Sequence, residues 1–332
     1  TTPDEYRSGS YCSDVAFMVE APVFHVNGDD PEAVVFAARV ATEYRQKFGR
    51  DVVIDLICYR RYGHNEGDDP SFTQPIMYQA ISKRPSSRQI YAERLIAQGD
   101  MTKDEHEALV ADFYTFLDKE FEAAQNFETR EPDWLQGVWQ GLSQPKDKGK
   151  RAAMTAVERS VLEDIGTKIT TVPNSVDIHR TLKRIIKARA DKVKTGAGID
   201  WGLAEHLAFG TLTLEGHPVR LSGQDSERGT FSQRQSNFVD QTTEDKYCPL
   251  NNLSNDQEYY QALNSHLSEE AVLGFEYGFS STAPKALTIW EAQFGDFANG
   301  AQVMVDQFIS SAEQKWLRMS GLVMLLPHGY EG

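Results

Sequence analysis

Apolar and polar positions follow strand-like and helix-like patterns in turn over the first part of the chain. Pro22 to Val26 predicts a short strand, and Val52 to Cys58 predicts a second one that is apolar except at Asp55. Between them, apolar residues recur at intervals of three and four along a helix that starts after Asp30 and ends at Gly49. These segments predict a βαβ unit whose second strand is buried on both faces of a parallel sheet.

Helical periodicity continues through the middle of the chain. Residues 75–127 predict helices, the longest of which opens with the capping-box pattern Thr102 to Glu105. Residues 143–151 are polar and basic and contain a proline, which is typical of a linker. Residues 152–195 predict further amphipathic helices, interrupted near Pro173.

A second α/β unit is predicted from about Asp200 onward. A polar, glycine-containing loop from Ser222 to Gln235 follows its first strand, and Ser268 is the expected N-cap of a later helix. The predicted elements are a helix to Leu214, a strand from Pro218 to Leu221, a helix from Glu269 to Phe279, a strand from Ala286 to Trp290, a helix from Ala298 to Ser311 and a strand from Leu322 to Leu326.

The composition of the chain limits the classes of protein and partner that fit it. The chain has 332 residues, 40% of them hydrophobic, which fits a soluble globular protein of two domains without a membrane span. The net charge is −15 and the main basic block is Lys146 to Arg151, so no nucleic-acid partner is expected. Cys12, Cys58 and Cys248 have no metal-binding spacing, and we expect them to be buried or half-buried thiols in a reducing compartment.

His64 is the first candidate for chemistry. It lies in the polar loop Arg60 to Pro70, which follows the predicted strand and is flanked by glycines. Open α/β folds place their active sites at the carboxyl ends of strands, so the position favours an active-site role for His64. The alternative is a solvated turn, which is what most loop histidines occupy.

Glu269 is ambiguous from its spacing alone. An acidic residue after the N-cap Ser268 is typical of a first helical turn that interacts with the helix dipole. The loop Gly223 to Phe231 could hold an anion, although it matches no nucleotide-binding motif and a surface turn is the simpler interpretation. The aromatic stretch Trp290 to Phe297 favours core packing.

Together these segments resemble the thiamine-diphosphate-dependent first components of the 2-oxoglutarate dehydrogenase complex. The similarity runs over nearly the whole chain. Its landmarks are Tyr11 to Asp14, His25 to Ala33, Cys58 to Pro70, Arg220 to Phe231, Leu267 to Gly278 and Thr288 to Gly332, with the most specific run from Ile289 to Gln302.

The resemblance implies roles for five residues. Glu269 would hydrogen-bond a pyrimidine nitrogen of thiamine diphosphate and drive the cofactor's own deprotonation. Leu267 would be the wedge that keeps the cofactor bent, and Phe297 would stack on the pyrimidine. Gln293 is a further cofactor-binding candidate. His64 would lie near the diphosphate and the reacting carbon, where it could donate to the substrate or move a proton.

The implied reaction is the decarboxylation of 2-oxoglutarate followed by reductive succinylation of a lipoyl group on the partner succinyltransferase component. This is a step of the tricarboxylic acid cycle, and it would require Mg2+ and an obligate homodimer. The implied location is the bacterial cytoplasm, or the mitochondrial matrix in a eukaryote. A 2-oxoadipate-preferring relative and a non-catalytic complex-binding module are the alternatives.

The same resemblance suggests that the chain is an internal piece of a longer protein. We expect residues 1–142 to be the C-terminal part of a diphosphate-binding α/β domain, 143–199 a helical linker, and 200–332 a pyrimidine-binding α/β domain cut at its end. The magnesium motif would lie upstream of Thr1, so no metal ligand is expected here and the isolated chain should bind cofactor poorly. Gln235 replaces a histidine found in many relatives, and unlike histidine it cannot act as an acid.

Overall fold

The computed structural model describes residues 3–128, 135–142 and 154–328. The chain is mixed α/β, with parallel sheets flanked by helices, as the sequence predicted. It divides into two compact units, Thr1–Thr129 and Arg130–Gly332. The predicted linker of residues 143–151 lies outside the described residues, and the predicted domain boundaries stay a prediction.

The first unit contains the predicted βαβ motif. Its two strands pair in parallel, with Val23 opposite Val53. The Asp30 side chain accepts a hydrogen bond from the backbone of Ala33, and Gly49 ends the helix in a left-handed conformation, as predicted. The elements are α1 (Pro3–Tyr6), β1 (Val23–Asn27), α2 (Pro31–Phe48), β2 (Val53–Ile57), α3 (Pro75–Lys83), α4 (Ser87–Gln98) and α5 (Lys103–Ala124), with 3-10 turns at Cys12–Val19 and Pro70–Phe72.

The prediction that β2 is buried on both faces is wrong. Ile54 and Leu56, which point to the same face, are 39% and 46% exposed. The reason is that β1 is the one strand that pairs with β2 in the described part of the chain, and α2 packs against this small sheet. Asp55, the one polar residue of this strand, has hydrogen-bond partners: its side chain accepts from Ser13 and His25 at 2.8 and 3.0 Å.

The second unit is built on a four-stranded parallel sheet in the order β6-β3-β7-β8. Its elements are α6 (Arg159–Ile169), α7 (Arg180–Thr195), α8 (Trp201–Leu214), β3 (Val219–Gly223), β4 (Phe238–Val239), β5 (Lys246–Tyr247), β6 (Tyr260–Asn264), α9 (Glu269–Thr282), β7 (Leu287–Glu291), α10 (Gln302–Met304), α11 (Ala312–Trp316) and β8 (Val323–Leu325). The 3-10 turns Gly137–Trp139, Pro249–Asn251 and Gly295–Ala301 and the π-helix Val305–Ile309 complete it.

Both faces of this sheet are covered. On one face, the fully buried side chains of Leu221 and Ile289 pack with residues of α6, α7 and α8, including Ile165 and Leu203. On the other face, Trp290 packs with residues of α9 and of the segment that follows β7. The alternation of Ile289 and Trp290 between the two clusters follows from the period of two along a strand. The helices α6 and α7 therefore belong to the core of the second unit.

Three sequence predictions need correction. The helix expected from Ala298 to Ser311 is instead a 3-10 turn, one short α-helix and a π-helix. The strand β6 and the short antiparallel pair of β4 and β5 were not predicted. Cys12 and Cys58 are exposed rather than buried, because Cys12 begins a surface 3-10 turn and Cys58 lies in the loop that follows β2, whereas Cys248 is half-buried as expected. Within the described residues, no helix combines the length and apolar composition needed to cross a membrane.

His206 is a buried histidine in the second unit whose protonation opposes folding. Its Nδ1 donates to the carbonyl oxygen of Gly202 at 2.6 Å. Burial, reinforced by the nearby Arg189 guanidinium, lowers the pKa of His206 to about 4. In the unfolded chain the pKa of this histidine is near 6.5. Between pH 4 and 6.5 the unfolded chain therefore binds a proton at His206, and the folded protein does not. Stability therefore falls as the pH drops from 6.5 toward 4, by about 3 kcal/mol in total.

We expect the change His206→Asn to flatten this acid loss of stability. Urea unfolding measured across that pH range should lose about 2–3 kcal/mol less in the variant than in the wild type, because the excluded proton no longer contributes. The matched control is His217→Asn, since the His217 ring is exposed and bonds the Lys285 carbonyl. Parallel pH curves for wild type and His206→Asn would contradict the assignment.

Candidate active site

The first candidate residue, His64, lies in the loop that follows the carboxyl end of β2, where the sequence placed it. The loop turns at Gly63, which has a φ of +79° and is tightly enclosed. A Cβ at this position would lie 3.0 Å from Pro70 and 3.1 Å from the Asp68 carboxylate. Both the backbone angle and the lack of space explain why a glycine precedes the histidine.

The neighbours of His64 hold the loop against α3 and the turn between α3 and α4. The Arg61 guanidinium donates to the carbonyl oxygens of Arg84 and Pro85 at 2.9 and 3.1 Å. The Tyr78 hydroxyl donates to the Arg60 carbonyl at 3.1 Å. These contacts hold the loop backbone while leaving the His64 side chain exposed.

The tautomer of His64 follows from its contact with Arg60. The Arg60 guanidinium lies 2.9 Å from His64 Nδ1, and a guanidinium can only donate. Nδ1 is therefore the acceptor, and in the neutral ring the proton is on Nε2. The backbone N–H of His64 donates to the Asp68 carboxylate at 3.1 Å, which fixes the backbone position from which the His64 side chain extends. The loop thus presents an N–H donor in an exposed position.

The second candidate, Glu269, is the first residue of α9, as predicted. The Ser268 side chain caps the helix by accepting from Ala271 N at 3.1 Å. This helix start lies beside the carboxyl ends of β3 and β7, which is the edge of a parallel sheet where α/β folds bind ligands. A narrow cleft at this edge, too tight to admit a water molecule, is lined by Glu269, Gln224 and Gln293, among others.

The two carboxylate oxygens of Glu269 have different surroundings. Oε1 accepts a hydrogen bond from Gln224 Nε2 at 2.7 Å. Oε2 lies 3.9 Å from the position that a Cβ would take at Gly300, so the absence of a side chain there keeps space beside this oxygen. Among the described residues, Oε2 has no hydrogen-bond partner. One oxygen is held by the protein, and the other can accept from a ligand.

Apolar side chains near Glu269 are exposed rather than packed. Leu267 is 81% exposed and Phe297 is 45% exposed. Phe297 contacts Phe294 edge to face at 5.7 Å between ring centroids, and Phe294 makes a similar contact with Phe231. The expectation of core packing for the stretch Trp290 to Phe297 therefore holds for Trp290, which is 2% exposed, and fails for Phe297. Exposed apolar groups beside a polar cleft are typical of ligand sites.

A buried ionic network supports this edge of the sheet. Arg234 is fully buried, and its five N–H groups are all used. They donate to Glu205 at 3.0 and 3.2 Å, to Glu291 at 2.5 and 2.8 Å, and to the Ser226 carbonyl at 2.9 Å. Glu291 ends β7, and Ser226 belongs to the loop after β3. Arg234 therefore links the segments that follow these two strands. Arg189 continues the network by donating to the carbonyl of Arg234 at 3.0 Å.

The structure places His64 in the first unit and the other predicted site residues in the second. Glu269, Gln293, Leu267 and Phe297 all belong to the segments around α9 and β7, while their proposed roles stay predictions. Sequence reasoning missed Gln224 as a site residue. Its position directly after β3 was the available signal, because residues at the carboxyl ends of parallel strands face one edge.

Gln235 lies elsewhere in the second unit. It lines a surface pocket with His179, Ser232 and Val239 of β4. Its φ is +60°, a conformation in which most residues are strained, and its amide donates to the Ser232 carbonyl at 3.5 Å.

In the described residues, no group of three or more His, Cys, Asp or Glu side chains could hold a metal ion.

Family models match both ends of the chain. Residues 1–133 match the model for the dehydrogenase E1 component. Residues 197–332 match the model for the transketolase pyrimidine-binding domain. The second match contains the whole of the cleft around Glu269.

Curated relatives match the entire chain. It is 58% identical over 333 aligned positions to the 2-oxoglutarate dehydrogenase E1 component of Brucella ovis, and equally similar to those of Brucella canis and Brucella melitensis. All of this chain aligns, but it corresponds to 33% of each relative. The chain therefore spans about a third of the length of these proteins.

Proposed function

We propose that this chain forms part of a thiamine-diphosphate-dependent 2-oxoglutarate dehydrogenase, because residues 1–133 match the dehydrogenase E1 component model and residues 197–332 match the transketolase pyrimidine-binding model. The enzyme would decarboxylate 2-oxoglutarate and transfer the succinyl group to the lipoyl group of a succinyltransferase component. The relatives that are 58% identical over the full chain carry the name of this activity.

The observation that carries the proposal is the asymmetric environment of Glu269. One carboxylate oxygen is held by Gln224, and the other borders the space beside Gly300. The ring nitrogen of a neutral aminopyrimidine carries a lone pair, so its partner must be a carboxyl group that can donate a proton to this nitrogen and take it back, and the ring needs an apolar surface against its face. Glu269 supplies the carboxyl group and Phe297 and Leu267 supply the apolar surfaces, so the residues present fit the pyrimidine half of thiamine diphosphate.

When bound, thiamine diphosphate supplies a nucleophilic carbon and an electron sink for decarboxylation. In the proposal, Glu269 Oε2 would hydrogen-bond the pyrimidine nitrogen, donate a proton to it and take the proton back. Leu267 would be the aliphatic wedge against the cofactor, Phe297 would stack on the pyrimidine, and Gln293 would contribute a polar contact. His64 offers the N–H at Nε2 as a donor to the substrate or as a proton carrier.

The remaining parts of the proposal concern partners. The diphosphate would be held by Mg2+, the enzyme would act as a homodimer, and the bacterial cytoplasm would be its location. A lipoyl domain of the succinyltransferase component would be the acceptor of the succinyl group. These parts of the proposal are what the resemblance to the 2-oxoglutarate dehydrogenase first components implies.

The experiment that tests the proposed function measures carbon dioxide release by the full-length gene product that contains this sequence. Purified protein with thiamine diphosphate, Mg2+ and an artificial electron acceptor should act on 2-oxoglutarate at a rate that depends on the cofactor. 2-Oxoadipate serves as the competing substrate, and kcat/KM should be higher for 2-oxoglutarate. A preference for 2-oxoadipate, or no activity on either acid, would refute the assignment.

A further inference from the structure

The helices α4 and α5 of the first unit form the walls of a groove that no described part of the chain fills. Its volume is about 440 Å3, and most of the side chains that line it are apolar. We infer that this groove is the docking site for a basic amphipathic helix of a partner protein. The inference uses none of the residues of the proposed cofactor site and does not depend on the proposed function.

One face of α5 is apolar and lies open to the groove. Its members recur at intervals of three and four residues, and they are Leu109, Val110, Phe113, Tyr114 and Leu117. Phe113 is 59% exposed and Leu117 is 42% exposed, so α4 covers only part of this apolar stripe. Large apolar side chains that stay exposed together on a regular helix are typical of a protein interaction site.

The walls of the groove favour a helix as the occupant. The backbone N–H and C=O groups of α4 and α5 bond within each helix, so no sheet edge is available to an extended segment. From His106 to Leu117 the lining extends about 17 Å along α5, since each helical residue adds about 1.5 Å. About three turns of a partner helix, with apolar residues on one face, would fill this length.

The charge of α5 favours a basic partner. The helix carries seven acidic and two basic side chains. By helical spacing, Asp118 and Glu120 lie on either side of the apolar stripe, and both are exposed. Within the described residues, neither of them forms an ion pair. A second copy of α5 would bring the same excess of acidic groups, and like charges oppose association, whereas lysine and arginine residues on a partner helix would pair with these carboxylates.

His106 adds one polar position to the groove. Its Nε2 is buried and has no hydrogen-bond partner among the described residues. Buried polar atoms in folded proteins are nearly always hydrogen-bonded, so this nitrogen indicates an occupant with a polar group opposite it. The inferred partner helix therefore combines an apolar face, basic flanks and one hydrogen-bonding group near its end.

The test measures the binding of three synthetic peptides to the full-length protein by fluorescence anisotropy at about 0.15 M salt. The first peptide has leucine at the spacing i, i+3, i+4 and i+7 and lysine elsewhere. The second has the same composition in scrambled order, and the third has glutamate in place of every lysine. The first peptide should bind saturably and at least about tenfold more tightly than the other two, because it alone combines the apolar face with basic flanks.

Two apolar substitutions locate the binding surface. The double change Phe113→Gln and Leu117→Gln should weaken binding of the first peptide about tenfold, since both side chains line the groove. Both residues are partly exposed, so the melting temperature should stay close to that of the wild type. The matched control is Phe48→Gln, because Phe48 is 56% exposed at the end of α2 and does not line the groove.

Charge substitutions test the basic character of the partner. The double change Asp118→Asn and Glu120→Gln should weaken binding of the first peptide several-fold and reduce its salt dependence. The matched control is Asp104→Asn with Glu122→Gln, which removes the same charge from the opposite face of α5. The control pair should leave the affinity within about twofold of the wild type.

Four results would overturn the inference. Equal affinity for the ordered and scrambled lysine peptides, or equal losses in the control variants, would mean attraction to the net charge of −15 alone. No binding of the ordered peptide would also overturn it, and slow maleimide labelling of a Tyr114→Cys variant would then show that another part of the full-length protein covers the groove. A lower molar mass for the Phe113→Gln and Leu117→Gln variant than for the wild type would mean that a second copy occupies it.

Discussion

Replacing Arg234 by Met is expected to destabilise the second unit by about 3–5 kcal/mol. The guanidinium is fully buried and donates to both Glu205 and Glu291, which are 9% and 4% exposed. Its removal leaves two carboxylates in the protein interior without a positive partner. The expected fall in melting temperature is on the order of 10 °C, since about 1 kcal/mol corresponds to roughly 2–4 °C in a unit of this size.

Two further variants identify the cause of this loss. Arg228→Met is the matched control, because Arg228 lies in the same loop but is about half exposed and pairs with Asp225 at the surface. That change should cost less than about 1 kcal/mol. Combining Arg234→Met with Glu205→Gln and Glu291→Gln should recover much of the stability, since no charge is then stranded. Equal melting temperatures for Arg234→Met and Arg228→Met would contradict the account.

Replacing Glu269 by Gln is expected to lower the rate of 2-oxoglutarate decarboxylation by a factor of about 100 to 10,000. The range is that of a lost proton-transferring group, because the amide cannot exchange a proton with the cofactor. The fold should be retained, since Ser268 still caps α9 and the amide can still accept from Gln224 through its oxygen. The assay is initial rate at saturating cofactor, with the melting temperature as the test of folding.

Glu270→Gln is the control for this change. Glu270 is the next residue in the same helical turn and is exposed, so the substitution alters the helix-dipole interaction and the net charge in the same way. It should leave the rate within about twofold of wild type. If both variants lost the same amount of activity, Glu269 would act only through the helix end, as its spacing alone suggests.

Locally determined elements were predictable from the sequence. The limits of α2 follow from Asp30, Pro31 and Gly49, and the start of α5 follows from the capping box at Thr102. These residues complete the helix ends through hydrogen bonds and backbone conformations inside their own segments. The strand β6 was missed because its five residues, Tyr260 to Asn264, mix polar and apolar positions. Its strand conformation depends on pairing with β3, which is distant in sequence.

Contacts between distant segments limited the prediction of the site. The start of α9 was predicted, but the bond from Gln224 to Glu269 joins residues 45 positions apart and depends on the packing of β3 beside β7. The burial of Arg234 likewise could not be seen, since an arginine in a polar loop is usually exposed. The resemblance to a family supplied the role for Glu269 that spacing and the helix dipole did not.

The most direct test is a calorimetric titration of thiamine diphosphate, in the presence of Mg2+, into the full-length wild-type protein and its Glu269→Ala variant. We expect saturable binding by the wild type and clearly weaker binding by the variant, because alanine offers no hydrogen-bonding group to the pyrimidine nitrogen. Equal affinities would show that the cleft at the ends of β3 and β7 does not hold the pyrimidine, and would contradict the central claim.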